Sequence, residues 1–192
     1  MYFTQKLIMR NLFIIFLFIE LLSLNRINSQ ELKSELTDNK TLEVEKITEL
    51  KDKTVKEIYK AVLNWTSYKF RNTESVIQSK VENEMIRISG VSSGVLDGPM
   101  GYKYGLSYII QIEIKPNKFR FRVYDLNMIG ADASRTRTPM ELTILKRNGK
   151  KRKSSRYTKY KIDADNEISS IYQSLYESIT SGKKEKSDWW FC

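Results

Sequence analysis

Residues 106–125 read LSYIIQIEIKPNKFRFRVYD. Apolar and polar side chains alternate on both sides of Pro116-Asn117, and a period of two is the signature of a half-buried strand. With Pro116-Asn117 as the central turn residues, Ile114 faces Phe119, Ile112 faces Phe121 and Ile110 faces Val123, all on one side. On the other side Glu113 faces Arg120 and Gln111 faces Arg122. A slip of one residue would set apolar groups against charged ones, so the pattern pins the register. Pro-Asn is not a favoured hairpin dipeptide, and Lys115 opposes Lys118 beside it. A ribbon with one greasy side requires a cover, which predicts helices packed on a single face.

Two helical patterns supply that cover. Thr54-Val-Lys-Glu57 has the form of a capping box, in which each side chain satisfies a free amide of the first turn. Val55, Ile58, Tyr59, Val62, Trp65 and Tyr68 follow at spacings of three and four, which predicts an amphipathic helix to about Phe70. Such a stripe is ordinarily core rather than a cofactor site. Ile168, Ile171, Tyr172, Leu175 and Ile179 form a second stripe, with Asp163 and Asp165 at its expected start, where the helix dipole favours acids, and Gly182 as C-cap.

Residues 74–81 and 85–91 read as short strands around Glu82-Asn83-Glu84. Ile86, Ile88 and Gly90 share one face; Arg87 and Ser89 take the other. Residues 92–105 hold four of the eight glycines and Pro99 and read as a loop, as does the polar stretch 127–138. Residues 41–46 fit an edge strand. The expected fold class is α+β: a curved antiparallel sheet of about four to five strands with two helices on one face.

The first residues bear on location. Lys6 and Arg10 precede a short apolar run, 12–19, that Glu20 interrupts. The run is too short to span a bilayer comfortably and fits a secretory signal peptide over 1–29, cleaved before Gln30; an uncleaved anchor is the other reading. Loss of Lys6, Arg10, Arg26 and Glu20 lowers the net charge of +10 by two. Residues 30–50 then form a polar lead-in, 51–182 the α+β domain, and 183–192 a tail. Export to the periplasm or cell envelope takes a basic protein away from nucleic acid and towards an envelope protein or an anionic polymer or lipid.

Several chemistries are excluded by composition. The chain has no histidine and one cysteine, Cys192. Ser-His-Asp and Cys-His catalysis, zinc sites built on histidine or several cysteines and an internal disulfide are therefore unavailable within one chain. Gly98, Gly101 and Gly105 match neither a dinucleotide fingerprint nor a P-loop. Asp163, Asp165 and Glu167 alternate as in a calcium loop, but Ile168 and Ser174 stand where glycine and glutamate are needed. No pair of carboxylates is brought into one pocket by the pattern. No catalytic residue and no cofactor is expected; an enzyme built on carboxylates with Tyr or Lys is a minor alternative.

The candidate binding surface is cationic. Arg87, Lys118, Arg120 and Arg122 fall on the polar side of the expected sheet, and the basic run from Lys146 to Lys161 includes Lys150, Lys151, Arg152, Lys153 and Arg156, with Tyr157 and Tyr160 interleaved. Cations beside aromatics suit phosphate- or carboxylate-bearing partners. A solvated face and a lysine-guarded strand edge are the plainer readings. Trp189-Trp190-Phe191 either packs back on the helices or anchors a partner.

Residues 53–65, KTVKEIYKAVLNW, leading to Phe70 and then Ser75-Val-Ile-Gln78, resemble the DUF4468 family of exported Bacteroidetes proteins. The strands at 108–115 and 118–124, Thr138-Pro-Met-Glu141 and Asp188-Trp189 are similar to its later part. The resemblance, over about residues 50–182, implies a TBP-like fold behind a signal peptide. It brings no assigned function and no catalytic residues. Pro116-Asn117 departs from the family's more usual Asp-Gly or Asn-Gly, and the basic run is unusual. The fold's name does not imply DNA binding. The reading is an exported binding module using the open sheet face and the basic segment; the alternative is an accessory subunit of an envelope assembly, joined through an edge strand or the aromatic tail.

Overall fold

The computed structural model describes residues 31–130, 136–146, 150, 152 and 154–181. Contacts divide the chain after Gln30, and every described residue lies in the second unit, Glu31–Cys192. The proposed signal peptide, Gly182, Cys192 and the Trp-Trp-Phe tail lie outside the described residues.

The strands are β1 (Glu35–Leu36), β2 (Leu42–Glu49), β3 (Ile77–Val81), β4 (Met85–Asp97), β5 (Lys103–Lys115), β6 (Lys118–Ile129) and β7 (Arg137–Pro139). The helices are α1 (Val55–Lys69), α2 (Thr73–Val76), α3 (Met140–Ile144) and α4 (Ser155–Ser181). All strand pairs are antiparallel, in the order β1-β2-β6-β5-β4-β3, with β7 added to β6. The hairpin has the expected register, Ile114 with Phe119 through Ile110 with Val123. Proline cannot adopt the positive φ that a type I′ turn needs at its first position; only Asn117 is left-handed, at φ 58°.

The side chains of that row are buried together with Ile86, Ile88, Val44 and Leu106. Their cover is the buried stripe of α1 (Ile58, Val62, Trp65) and that of α4 (Ile168, Ile171, Tyr172, Leu175, Ile179). The Thr54–Glu57 capping box is formed. Trp65 donates from Nε1 to Ser174 Oγ at 3.1 Å, tying α1 to α4. Tyr172 lies 5.5 Å from Phe121 and 6.4 Å from Phe119, centroid to centroid. Its hydroxyl pairs with Thr48 Oγ1 at 2.8 Å, so the polar tip is satisfied in the core.

The sheet is larger than four to five strands: among the described residues it has seven. The expected edge strand at 41–46 runs to Glu49 and pairs with β6 on one side and β1 on the other. The stretch 92–105 is mostly strand, because a bulge between Ser92 and Leu96 absorbs Gly94 without ending the β4–β5 ladder. At 127–138 the ladder likewise continues to Ile129 and takes up β7. A bulge at Asp125, left-handed at φ 55°, lets this happen. Up to Val123 the odd residues of β6 point inward; beyond the bulge Leu126 does. Residues 73–76 are a helical turn, capped by Asn72, before strand β3 begins.

The second helix starts at Ser155, two turns before Asp163. Lysine and arginine are good helix formers, and the end of the basic run, Arg156 to Lys161, joins the helix. Asp163 and Asp165 therefore do not sit at its start. They pair one turn back, with Lys159 at 2.9 Å and Lys161 at 2.5 Å.

Gly90 faces Tyr108 across β4 and β5, and a Cβ there would overlap the tyrosine ring. Gly90→Ala is expected to cost about 1–3 kcal/mol through overpacking, read as a lower urea midpoint. Adding Tyr108→Ala relieves the clash, so the two changes should be strongly non-additive. Additive effects would show that the ring does not occupy the glycine's space.

Candidate functional site

The uncovered face of the sheet collects Glu43, Glu45, Ile47 and Glu49 from β2, Lys118, Arg120, Arg122 and Tyr124 from β6, Gln111 and Glu113 from β5, and Arg87 from β4. Strand alternation puts them there; their cross-strand register makes them one lattice. Arg87 donates from Nε and Nη2 to Gln111 Oε1 at 3.2 and 2.9 Å. Gln111 Nε2 donates to Glu113 Oε1 at 2.7 Å, and Arg120 donates to the other oxygen of Glu113. Arg120 also lies 3.9 Å from Glu45. Arg122 donates to Glu43 at 2.9 and 2.5 Å and stands 5.3 Å over the Tyr124 ring.

The electrostatics agree with that geometry. Partial burial pushes Glu113 up, but hydrogen bonds from Arg120 and Gln111 and the charges of Arg120 and Arg122 outweigh it, holding the carboxyl below its ordinary value. The bond to Glu43 raises Arg122. Exposed ion pairs of this kind contribute about 0–1 kcal/mol each, so the lattice orders the face more than it stabilises the fold. Arg87, Arg120 and Arg122 thus share one face, as their alternation implies, but each is matched there by a carboxylate or amide. Lys118 pairs in register with Glu49 and Lys115.

The basic segment lies elsewhere. Arg152 donates its amide to Ile144 O at 2.7 Å and Nε to Leu145 O at 3.0 Å. It lines an open groove of about 480 Å³ on the helix side, with Leu36, Leu42, Ile144, Thr158 and Lys161. Lys150 accepts from the amide of Lys146, and Arg156 is exposed in the first turn of α4. Lys151 and Lys153 lie outside the described residues. A smaller hollow of about 190 Å³ opens at the hairpin end of the bare face, beside Ile47, Glu113 and Arg120.

The acids that resemble a calcium loop serve three separate contacts. Asp163 accepts from the amide of Asp97 at 3.0 Å. The buried Asp165 takes the amide and hydroxyl of Ser34 at 3.0 and 2.5 Å. Glu167 accepts from Ser92 Oγ at 2.6 Å, and that hydroxyl also contacts Tyr108 OH at 3.1 Å. Among the described residues no group of three or more acids, cysteines or histidines could hold a metal, and no helix is long and apolar enough to cross a membrane. Sequence reasoning missed Glu43, which holds Arg122, and Glu141, whose carboxylate accepts the Leu42 amide at 2.7 Å where β2 runs past the end of its β6 pairing. Reading 42–49 as one strand puts Glu43 and Glu45 on a shared side, but neither the β2–β6 pairing that sets Glu43 beside Arg122 nor the bond from Leu42 to Glu141 has a local sequence signal.

A bare, hydrogen-bonded antiparallel sheet backed by two long helices is the architecture of a TBP-like α+β domain. Residues 45–128 match the model of a domain of unknown function, DUF4468, with TBP-like fold. The fold is similar to a DUF4468 family protein from Bacteroides ovatus, with a TM-score of 0.61 and 10% identity over 84% of this chain and 95% of that one. A TBP-like protein from Parabacteroides distasonis is similar with a TM-score of 0.55 and 13% identity, over 73% and 96%. None of the curated proteins matches the chain.

Burial raises the Tyr108 hydroxyl to about 12, against the lowering effect of its bond to Ser92. A raised tyrosine contributes stability that is complete below the ordinary value of 10 and is lost as pH climbs towards 12, because the unfolded chain gives up its proton first. Stability should fall by about 3 kcal/mol over that window. Urea titrations at stepped pH check this: Tyr108→Phe should flatten the alkaline slope, and an unaltered slope in that variant would assign the loss elsewhere.

Proposed function

We propose that this is an exported, non-catalytic interaction module of the cell envelope that contacts a protein partner through its bare strands. The observation that carries the reading is the Arg–Glu–Gln lattice. Cations already matched on their own face offer little to an anionic polymer. A flat, ordered row of donors and acceptors flanked by exposed Ile47 and Val91 suits another protein surface. The missing histidine and the single cysteine support a non-catalytic role. The charged, interrupted apolar run before Gln30 supports export.

The basic segment is a second, separate contact on this reading, since Arg152 lies on the helix side, away from Arg120 and Arg122. Photo-crosslinking amino acids placed in the source cells test the proposal. Probes at Val91 and Ile109 should give discrete adducts of higher mass, and probes at Lys56 and Lys60, exposed on α1, should not. Adducts from α1 alone, or none from the sheet, would overturn it.

A further inference from the structure

The sheet has an unequal pair of edges. The β3 edge is blunted by a bulge between Ile77 and Ser79 and by exposed Lys80, both ordinary defences against unwanted pairing. The β2 edge is not. Its neighbour β1 pairs with it only at Leu42 and Glu43. The chain before β1 does not continue along β2, because α4 pulls it away: Ser34 donates its amide to Asp165 and Leu32 donates its amide to Ser169 Oγ at 2.9 Å. Beyond that pairing no strand among the described residues lies against the outer side of β2.

The direction of the backbone groups follows from one bond. Leu50 donates its amide to Asn117 O, towards the hairpin, at 2.7 Å. In an antiparallel ladder alternate residues address the same neighbour, so 44, 46 and 48 address β6. Glu45, Ile47 and Glu49 point their N–H and C=O groups outward. Their side chains lie on the bare face, two carboxylates around an isoleucine that is 58% exposed.

We infer that this edge is a strand-addition site for a cationic, extended segment of a partner protein, with Lys or Arg set against Glu45 and Glu49 and an apolar residue against Ile47. The inference rests on the reading that the domain works through its strands. Charge decides the occupant. A second copy paired about a two-fold axis at Ile47 would set Glu45 against Glu49 twice, and like charges directly opposite are destabilising. Glu45 touches Arg120 only loosely, at 3.9 Å, and Glu49 has Lys118 on its inner side alone, so both carboxylates still favour a basic strand on the outer side, and one arrangement rejects self-pairing and selects the partner. Backbone bonds would give affinity, and the alternating side chains specificity.

Synthetic acetylated peptides with the alternating core Lys-Thr-Val-Thr-Lys, the same core with Glu for Lys, and the lysine core N-methylated on its pairing amides are the probes. The lysine peptide should bind the full chain by fluorescence anisotropy and slow amide exchange at Glu45, Ile47 and Glu49. The other two should not. Glu45→Lys with Glu49→Lys should weaken binding by roughly tenfold or more. Ile47→Pro should abolish it while keeping the fold, since the lost N–H points outward. The N-methylated peptide makes the same test without altering the protein. No binding of the lysine peptide, equal binding of the methylated one, or protection on β3 instead of β2 would each overturn the inference. Sheet-face crosslinks persisting in the Ile47→Pro variant would leave the interaction module standing and reject only this edge.

Discussion

The row Ile110, Ile112, Ile114, paired with Phe119, Phe121 and Val123, has to leave water, and a single layer of helix is available to cover it. Most of the architecture follows from that requirement. It turns α1 and α4 so that their stripes meet on one side, it draws Trp65 and Tyr172 between the layers, and it makes each of their polar atoms find a partner, Ser174 and Thr48. Buried hydroxyls and indoles left unpaired would cost about 1–3 kcal/mol each, which is comparable to what one large side chain contributes by burial.

The opposite face is shaped by the same alternation with the sign reversed. Apart from a few exposed apolar groups such as Ile47 and Val91, the residues turned away from the core are polar, and they satisfy one another. Glu45, Arg120, Glu113, Gln111 and Arg87 form a chain of contacts across four strands. Such a surface resists nonspecific adhesion of anions because its arginines already have company. It also holds side-chain rotamers in place, which lowers the entropy lost when something flat docks on it.

The hairpin, its register, the α1 capping box and both apolar stripes were legible because each is a local periodic signal. The rest depended on distance. The strands β1 and β7 have two and three residues, too few to show a period. Positions 92–97 and 127–129 looked like loops because bulges interrupt the alternation while the hydrogen-bonded ladder goes on. The start of α4 was hidden by charge: from Ser155 to Lys161 few apolar residues mark a face, and propensity alone carries the helix through them. The arginine cluster was legible as a shared face, but its neutralisation was not, since Glu43 and Glu45 reach Arg122 and Arg120 only once β2 is known to lie beside β6.

Asp125 sets the phase of β6. One extra residue there moves the inward positions of β6 from odd to even numbers, and the reach of the sheet from Leu126 to the seat of β7 depends on that half-step. Genetic drift in this stretch is thereby confined. Relatives can exchange side chains at 125 for others that tolerate a left-handed backbone, and a codon lost there would close the bulge with Leu126 still inward and Asn127 still opposite Ser107, whereas an added residue that joined the ladder would turn Leu126 to the solvent and unseat the strand that leads into α3.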